Sequence, residues 1–472
     1  MKIYLVNPPS NKGVKMVREG RCMQRKGAWT TVWPPVTLAT MAALLLENGF
    51  EVKLDDCIVE DITQDKLKAV IKEFKPDMIV INTATASIYS DLKCCSIAKE
   101  IIPCVKTVAF GLHVTALTEE SFSLDAGIDY IIRGEPEFCL LELAKALSKG
   151  EEPVTRIRGI SYKENNAVKH NANRGFDEDL NRLPFPAWHL IDVKKYPLPL
   201  SGEPFLLVTT SKGCPHSCLF CPAKPFYGSK MRFRKPDLVI DEMQYVSEKL
   251  GVKNFLIWSE TFTEEREYVF QFCNELLRRK LNIAWVCNSR VDKVDPEMLK
   301  LIKQAGCWMI GFGVESSDQE ILDKSGKGIT VKQIESALSS AKDALLEVTA
   351  HVIFGLPGET LETGRKTIEW ITRQKIDFAQ FYCAVPWPSS GLYAVAKQNG
   401  WLTTGDWEMY EQNHYIMDIG TIRPAEVEYL RRIAMRKFYL SLPRITSVLK
   451  KIDSFKKARV LAAMLREFIS WI

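Results

Sequence analysis

Three cysteines lie close together in the segment GCPHSCLFCPA, which runs from Gly213 to Ala223. They are Cys214, Cys218 and Cys221, so their spacing is C-x3-C-x2-C. Thiol groups at this density could ligate a metal, form a disulfide, or pack as small apolar side chains. The interpretation of the whole chain depends on which of these three applies.

A disulfide and a zinc site both fit this segment poorly. Three thiols are an odd number, and the N-terminus, MKIYLVNPPSNKG, is typical of a strand and a loop rather than of a secretory signal. Zinc usually takes four ligands, and only His216, inside the same short loop, is at hand as a fourth. Three thiolates instead suit a cubane iron–sulfur cluster with one iron left open for a substrate or cofactor.

The composition indicates a globular protein of two or three domains. The chain has 472 residues, 46% hydrophobic and 26% charged, and no apolar run long enough to cross a bilayer. The net charge is only +5, and the segment from Pro443 to Ile472 carries seven Lys or Arg against two Asp or Glu. The rest of the chain is near neutral, which excludes a broad nucleic-acid-binding face. The 13 cysteines indicate reduced thiols and a cytoplasmic location.

Residues 1–150 alternate β-branched segments with amphipathic ones, which predicts a doubly wound parallel sheet. Strands are expected at KIYLVNPP, EVKLDDC, DMIVINTAT, KTVAFGLH and IDYIIRGE. Ligands of such sheets bind beyond the carboxyl ends of the strands. Those ends carry the candidate ligand-binding residues Pro9, Asp56, Gly111, His113, Thr115 and Glu135.

Three further regions follow this first α/β unit. Residues 151–202 are rich in proline and polar side chains, so we expect an ordered linker. Residues 203–402 contain six expected strands, each but the last followed by a helix, which predicts a partial (β/α)6 barrel with its active site at the carboxyl ends of the strands. The cysteine segment follows the first of these strands. Residues 403–472 are expected to form a helical C-terminal extension.

The cysteine spacing, with Phe220 between the second and third cysteines, resembles the signature of the radical SAM enzymes. The resemblance implies that Cys214, Cys218 and Cys221 are the catalytic ligands of a 4Fe-4S cluster, whose open iron binds the amino and carboxylate groups of S-adenosylmethionine (SAM). Reductive cleavage of SAM then yields a 5′-deoxyadenosyl radical. A one-electron donor such as flavodoxin or ferredoxin is implied as a partner.

Other strand ends resemble the parts of this family that surround SAM. These segments are WSETF, CNSRVD, GFGVESS and VIFGLPGET. The resemblance implies SAM contacts at Glu260, Asn288, Arg290, Glu315, Phe354, Gly355 and Leu356. Arg290 could bind the SAM carboxylate or form a salt bridge at the rim of the barrel, and both interpretations stay open.

The order of the two α/β units resembles the cobalamin-dependent branch of the family, which holds the anaerobic magnesium-protoporphyrin monomethyl ester cyclase and the hopanoid-biosynthesis radical proteins. VNPP, AFGLHVT and DYIIRGEPEFCLLEL carry this likeness, which implies that the N-terminal sheet binds cobalamin. The D-x-H-x-x-G motif is missing, so His113 is left as either a cobalt ligand or a histidine bonded to backbone. WSETF and PSSGLY depart from the family pattern and leave the substrate open.

Three functions are compatible with these features. The first is methyl transfer to an unactivated carbon, the second is a radical cyclisation or rearrangement of a lipid or tetrapyrrole, and the third is a non-catalytic cobalamin or cluster sensor. The substrate would be a small molecule or a lipid, and Trp29, Trp33, Trp258, Trp308 and Trp387 fit either an apolar substrate or ordinary packing. The basic tail predicts either a helical cap on the barrel or peripheral contact with the inner membrane face.

Overall fold

The computed structural model consists of two α/β units and a helical C-terminal extension, as the sequence predicts. It describes residues 1–9, 14–19, 24–25, 31–149, 153–165, 167–177, 179–199, 201–450, 452, 454 and 457–462. Trp29 and the last ten residues of the basic tail therefore lie outside the described residues. No helix in the described ranges is long and apolar enough to cross a bilayer.

The N-terminal sheet has seven strands: β1 (Lys2–Asn7), β2 (Glu51–Asp56), β3 (Met78–Asn82), β4 (Lys106–Phe110), β5 (Tyr130–Ile132), β6 (Ile160–Glu164) and β7 (Ala167–His170). Their spatial order is β2-β1-β3-β4-β5-β6-β7. Strands β1 to β5 are parallel in the order of a doubly wound fold, which confirms the predicted architecture. Strands β6 and β7 are antiparallel. They come from the segment predicted as a linker, so the sheet extends beyond the expected boundary at residue 150.

Helices cover this sheet, and every residue of β3 is buried. They are α1 (Val36–Glu47), α2 (Gln64–Phe74), α3 (Ile88–Ile101), α4 (Leu112–Ala116), α5 (Thr118–Leu124) and α6 (Glu137–Lys149). A short antiparallel hairpin pairs Met16–Val17 with Gln24–Arg25. Because the connections between parallel strands are helical, the carboxyl ends of β1 to β5 meet at one edge of the sheet.

The second unit is a six-stranded parallel sheet whose strands follow their order in the chain, which confirms the predicted partial barrel. The strands are β8 (Phe205–Thr209), β9 (Asn254–Trp258), β10 (Ala284–Ser289), β11 (Cys307–Glu315), β12 (Glu347–Phe354) and β13 (Phe378–Cys383). Consecutive neighbours with helical crossovers bring all carboxyl ends to one mouth. The cysteine segment therefore lies at the mouth of the barrel.

The remaining helices surround the barrel and continue into the extension. They are α7 (Ala223–Tyr227), α8 (Pro236–Leu250), α9 (Arg266–Arg279), α10 (Pro296–Gln304), α11 (Gln319–Lys324), α12 (Val331–Asp343), α13 (Leu361–Arg373), α14 (Gly391–Gln398), α15 (Pro424–Tyr439) and α16 (Leu442–Lys450). Helix α15 begins at Pro424, as expected of a proline in a first turn. It packs on α13 and β13, so this part of the extension is a cap on the barrel.

The two units share one continuous core. Buried apolar side chains of the N-terminal unit, such as Leu38 of α1, belong to the same packed cluster as Phe205 of β8 and Trp285 of β10. The chain between the units contributes Trp188 and Tyr196 to this cluster. The sheet and the barrel are therefore held in one arrangement by apolar burial, and residues at their facing ends have defined positions relative to each other.

Asp56, predicted as a cobalamin contact, instead ties the connecting segment to the sheet. Its Oδ1 accepts a hydrogen bond from Asn7 Nδ2 at 2.9 Å, and its Oδ2 accepts one from Tyr196 Oη at 2.9 Å. The carboxyl group is buried, and burial raises its pKa despite these bonds. Asp56 lines neither of the two cavities discussed below, and its contact with cobalamin stays a prediction.

Replacing Tyr196 with phenylalanine should destabilise the protein. The change removes one donor from a buried carboxyl group, which costs about 1–3 kcal/mol of unfolding free energy. Differential scanning calorimetry of the full chain measures the loss as a lower melting temperature. Tyr245→Phe is the control, because Tyr245 is 44% exposed. Equal melting temperatures for the two variants would contradict a structural role for this bond.

Candidate active site

The cysteine segment is a loop closed at its base by a short antiparallel hairpin. Ser211–Lys212 pairs with Arg232–Phe233, and Lys212 lies opposite Arg232. Gly213, at the entrance to the loop, has a φ of 96°, and a Cβ there would collide with the carbonyl oxygen of Lys230. Only glycine fits both conditions without strain. The loop therefore leaves the barrel in a fixed direction immediately before the first cysteine.

All three cysteines line one large cavity in the mouth and interior of the barrel, with a volume of about 790 Å³. Cys214 is 7% exposed, and Cys218 and Cys221 are half-buried. The loop is held from two sides by backbone hydrogen bonds: Leu219 N donates to Ser325 O at 2.8 Å and Leu392 N donates to Leu219 O at 2.7 Å. The thiols are accessible from the cavity while their backbone is anchored.

Four of the predicted SAM contacts line the same cavity, namely Glu260, Asn288, Arg290 and Glu315. Each lies at or just beyond the carboxyl end of its strand, as the barrel topology requires. Gly311 leaves room for Asn288, because a Cβ at position 311 would collide with Asn288 Oδ1. The sequence therefore identified the correct edge of the barrel for these residues.

Arg290 places a cation beside one cysteine of the loop. Its Nη1 lies 3.8 Å from Cys218 Sγ, its Nη2 donates to Lys327 O at 2.8 Å, and its Nε donates to Asp292 Oδ1 at 2.9 Å. Burial alone would lower the pKa of Arg290, but the hydrogen bonds to Asp292 raise it. The guanidinium stays charged and can stabilise a thiolate or a bound carboxylate.

Lys327 belongs to the site and the sequence analysis missed it. Its Nζ forms a salt bridge with Glu315 Oε1 at 2.7 Å, with both side chains less than 10% exposed, and it lies 6.0 Å from the centre of the Phe220 ring. Burial would lower the pKa of Lys327, but Glu315 raises it. The sequence feature that could have identified this lysine is the segment SGKGIT, in which Gly326 and Gly328 flank it and both have φ near 65°. Such a turn directs the lysine inward to Glu315.

The structure places Phe354, Gly355 and Leu356, the other predicted SAM contacts, outside the large cavity. All three are buried and none lines the cavity, which Ile353 reaches instead. The Phe354 ring stacks on Phe381 with centroids 6.2 Å apart, and Gly355 O accepts a hydrogen bond from Tyr415 Oη at 2.8 Å. The alternation of side chains along β12 turns Phe354 away from the interior.

A second, small cavity lies between the N-terminal sheet and the barrel, with a volume of about 60 Å³. Gly111 and Glu135, both predicted cobalamin contacts, line it. A Cβ at Gly111 would collide with the carbonyl oxygen of Thr83, so the backbone approaches closely here. Trp258 and Glu260 line this cavity and the large one, and form a shared wall.

The other predicted cobalamin contacts do not reach either cavity. Pro9, two residues after the end of β1, lines neither cavity. Thr115 Oγ1 accepts a hydrogen bond from Gly134 N at 3.1 Å. His113 is fully buried, its ring lies 4.8 Å from that of Trp407, and neither ring nitrogen has a hydrogen-bond partner among the described residues. Burial lowers its pKa to about 3, so it is neutral; a bond to backbone is absent among the described residues, and cobalt ligation stays a prediction.

Two ion pairs fasten the cysteine hairpin to the N-terminal unit. Lys212 Nζ lies 2.5 Å from Glu137 Oε1, and Arg232 Nη2 lies 2.5 Å from Glu135 Oε1. All four side chains are at most 11% exposed. Burial would lower the pKa of Lys212, but Glu137 and Glu135 raise it, so the pair stays ionised. Glu135 therefore has two roles: it binds Arg232 of the cysteine hairpin, and it lines the small cavity.

The thiol set fits an iron–sulfur cubane better than a single metal ion. Within the described ranges, no three His, Cys, Asp or Glu side chains gather around one point as ligands of one ion would. In a cubane each thiolate ligates a different iron, so the thiols need not converge. His216 is engaged elsewhere, with its Nε2 2.8 Å from Glu264 Oε2. The large cavity also has room for a drug-sized ligand beside the loop.

A corrinoid does not fit the small cavity as it stands. The cavity volume of about 60 Å³ is far below that of an ordinary ligand pocket. The described strand ends also present no histidine to the cavity as a cobalt ligand, since His113 is packed under Trp407. A corrinoid would therefore need space beyond this cavity.

Two family models match the chain. The radical SAM superfamily matches residues 208–371, and the B12 binding domain matches residues 28–144. An uncharacterised methyltransferase of Pyrococcus horikoshii is 32% identical over 99% of both chains. The anaerobic magnesium-protoporphyrin IX monomethyl ester cyclase of Rubrivivax gelatinosus is 30% identical, over 87% of this chain and 75% of that protein.

The fold also resembles that of a solved structure. The radical S-adenosylmethionine methyltransferase TsrM from Kitasatospora setae, with cobalamin and a [4Fe-4S] cluster bound, aligns with a TM-score of 0.71 at 15% identity. The alignment covers 98% of this chain and 99% of that chain. At this identity the likeness concerns the fold, including the order of its two α/β units.

Replacing one loop cysteine should remove iron selectively. After anaerobic reconstitution the wild-type chain is expected to hold about four irons, and Cys218→Ala less than one, because a cubane with three protein ligands does not survive the loss of one. Iron analysis and the visible absorption band measure this. Cys104→Ala is the matched control, because Cys104 is exposed and far along the chain from the loop. Iron content that is unchanged in Cys218→Ala would exclude this cluster site.

Proposed function

The chain belongs to the cobalamin-dependent radical SAM enzymes, and we propose that it transfers a methyl group to an unactivated carbon of its substrate. The cofactors of this family are a 4Fe-4S cluster, SAM and cobalamin. Family membership favours an enzyme over a sensor. The proposal rests further on how the two cavities are arranged.

The observation that carries the proposal is the wall shared by the two cavities. Trp258 and Glu260 line the small cavity at the N-terminal sheet and the large cavity at the cysteine loop. Trp33 of the N-terminal unit packs edge-to-face on Trp258, with ring centroids 5.4 Å apart. A substrate in the barrel would therefore lie between a radical source at the loop and the face of the N-terminal sheet.

The residues of the barrel mouth have separate tasks in this proposal. Cys214, Cys218 and Cys221 would hold the cluster. When bound, the cluster and SAM supply the radical, and cobalamin supplies the methyl group. Arg290 and Lys327 place two positive charges beside the loop, where they favour thiolates and attract the carboxylate of SAM. Burial of these charges keeps water away from the reacting atoms.

Cyclisation without methyl transfer is the second candidate. It is supported by the 30% identity to the cyclase of Rubrivivax gelatinosus. The transfer of labelled methyl, tested below, separates the two candidates.

Two partners complete the proposal. The first is a one-electron donor such as flavodoxin or ferredoxin. The second is an anionic membrane surface, for which helix α16 offers an exposed face formed by Leu442, Ile445 and Leu449. These positions recur at helical spacing, and the sequence beyond them is basic. Salt-sensitive co-sedimentation with anionic liposomes would support this contact.

The test of methyl transfer is a labelled-methyl experiment. Protein produced with cobalamin should contain about four irons and one cobalt per chain. With a reductant and SAM carrying a deuterated methyl group, it should release 5′-deoxyadenosine and label a compound in an extract of small molecules and lipids. The Cys218→Ala variant is the control. Deoxyadenosine without label transfer would favour cyclisation, and iron without cobalt would overturn methyl transfer through cobalamin.

A further inference from the structure

The large cavity is not confined to the mouth of the barrel. Its lining includes the first residues of several strands, Asn254, Ala284, Glu347 and Phe378, as well as the cysteines beyond the last residue of β8. It therefore runs the length of the barrel. The interior of a complete (β/α)8 barrel is filled by layers of branched side chains, and here Gly311, Gly313 and Ala284 leave the corresponding space open.

The two halves of this channel differ in polarity. In the half nearest the mouth, Asn288, His351, Gln380 and Tyr382 face the space, and His351 Nδ1 lies 3.2 Å from Tyr382 Oη. In the lower half the lining is mainly apolar, with these side chains: Phe205, Leu256, Val286, Trp308, Met309 and Phe378. Asn254 and Glu347 are polar residues at the lower rim, and Lys457 of the extension also lines the channel. The channel thus has a polar upper half and an apolar lower half.

The lower end of the channel is bounded by residues from outside the barrel strands. Leu198 and Pro199, which precede β8, line the channel. Tyr439, at the end of α15, also lines it, and its hydroxyl donates to Ala379 O at 2.7 Å. The lower half is therefore an apolar space that lies below the cysteine loop.

We propose that the lower half of the channel holds the hydrocarbon chain of an amphiphilic substrate whose polar group lies near His351 and Tyr382. This inference rests on the proposed function and names its substrate class. His351 and Tyr382 each lie four residues from the first residue of their strand, a distance of about 13 Å, so the space below the polar group accepts an acyl or isoprenoid chain of comparable length. The carbon that reacts would be held between the polar half and the cysteine loop.

A purely polar substrate of ordinary size leaves this lower half unexplained. The cluster and SAM would occupy the part of the cavity beside the cysteines, and the lower half is the space that they leave. A polar ligand would find its partners within the upper half and would gain nothing from Phe205, Leu256 and Val286. Burying a chain among these side chains gains free energy with every methylene group. Chain length is therefore the property that separates the two substrate classes.

The experiment uses the full-length, cluster-reconstituted protein under anaerobic conditions, with the fluorescent fatty acid cis-parinarate as the probe. Saturable binding is expected, with displacement by octanoate, dodecanoate and hexadecanoate in order of increasing affinity. A fully buried methylene group should tighten binding about three- to fourfold. No saturable binding, or equal displacement by the three acids, would overturn the proposal.

Two variants test whether parinarate binds in the lower half of the channel. Ala284→Trp fills the channel near its lower rim, and Met309→Lys introduces a charge into the apolar half, so each should weaken parinarate binding at least tenfold. Ala425→Trp is the matched control, because Ala425 is exposed on α15 and should leave binding unchanged. Iron content and melting temperature, measured on every variant, show that it has folded. Unchanged binding in both folded channel variants would overturn the proposal.

The result of the fatty-acid binding experiment is independent of the test of methyl transfer. A wild-type protein that holds iron and cobalt, cleaves SAM and binds no fatty acid would overturn the channel proposal alone. Chain-length-dependent binding by a protein without cobalt would overturn methyl transfer and leave the channel assignment standing.

Discussion

Two buried ion pairs fix the position of the cysteine loop relative to the N-terminal sheet. Lys212 and Arg232 are opposite each other at the base of the loop. Glu137, the partner of Lys212, is the first residue of α6, and Glu135, the partner of Arg232, lies in the turn before this helix. Removing one partner of such a pair leaves an uncompensated buried charge, which costs about 3–5 kcal/mol. The distance between the radical-generating loop and the sheet edge therefore depends on four side chains.

Much of the architecture could be predicted from the sequence because hydrophobic periodicity reports local structure directly. The β-branched runs and amphipathic helices gave the parallel strands of both units, and the three cysteines, Arg290 and Glu315 follow strands whose ends necessarily meet. Strands β6 and β7 were missed because they are short antiparallel strands at one end of the sheet, and their sequence is mostly polar. Such strands carry little of the pattern that identifies a buried one.

Three predicted ligand contacts, Asp56, His113 and Phe354, lie outside both cavities for a common reason. A position at a strand end says which edge of the sheet a residue occupies, but not which way its side chain points. Asp56 turns toward Tyr196, His113 toward Trp407, and Phe354 toward Phe381. Lys327 was missed for the opposite reason, because it lies in a loop between helices and reaches Glu315 only through the fold. Tertiary contacts decide these orientations, and no local pattern encodes them.

The paired charges at the base of the cysteine loop also bear on how such proteins can be recombined. One partner of each pair lies in the N-terminal unit and the other in the barrel, and the two units share a continuous apolar core. The N-terminal unit is therefore not an interchangeable module. A chimaera that takes this unit from a relative would have to inherit matching residues at positions 135, 137, 212 and 232 together. Natural divergence at these four positions is expected to be correlated for the same reason.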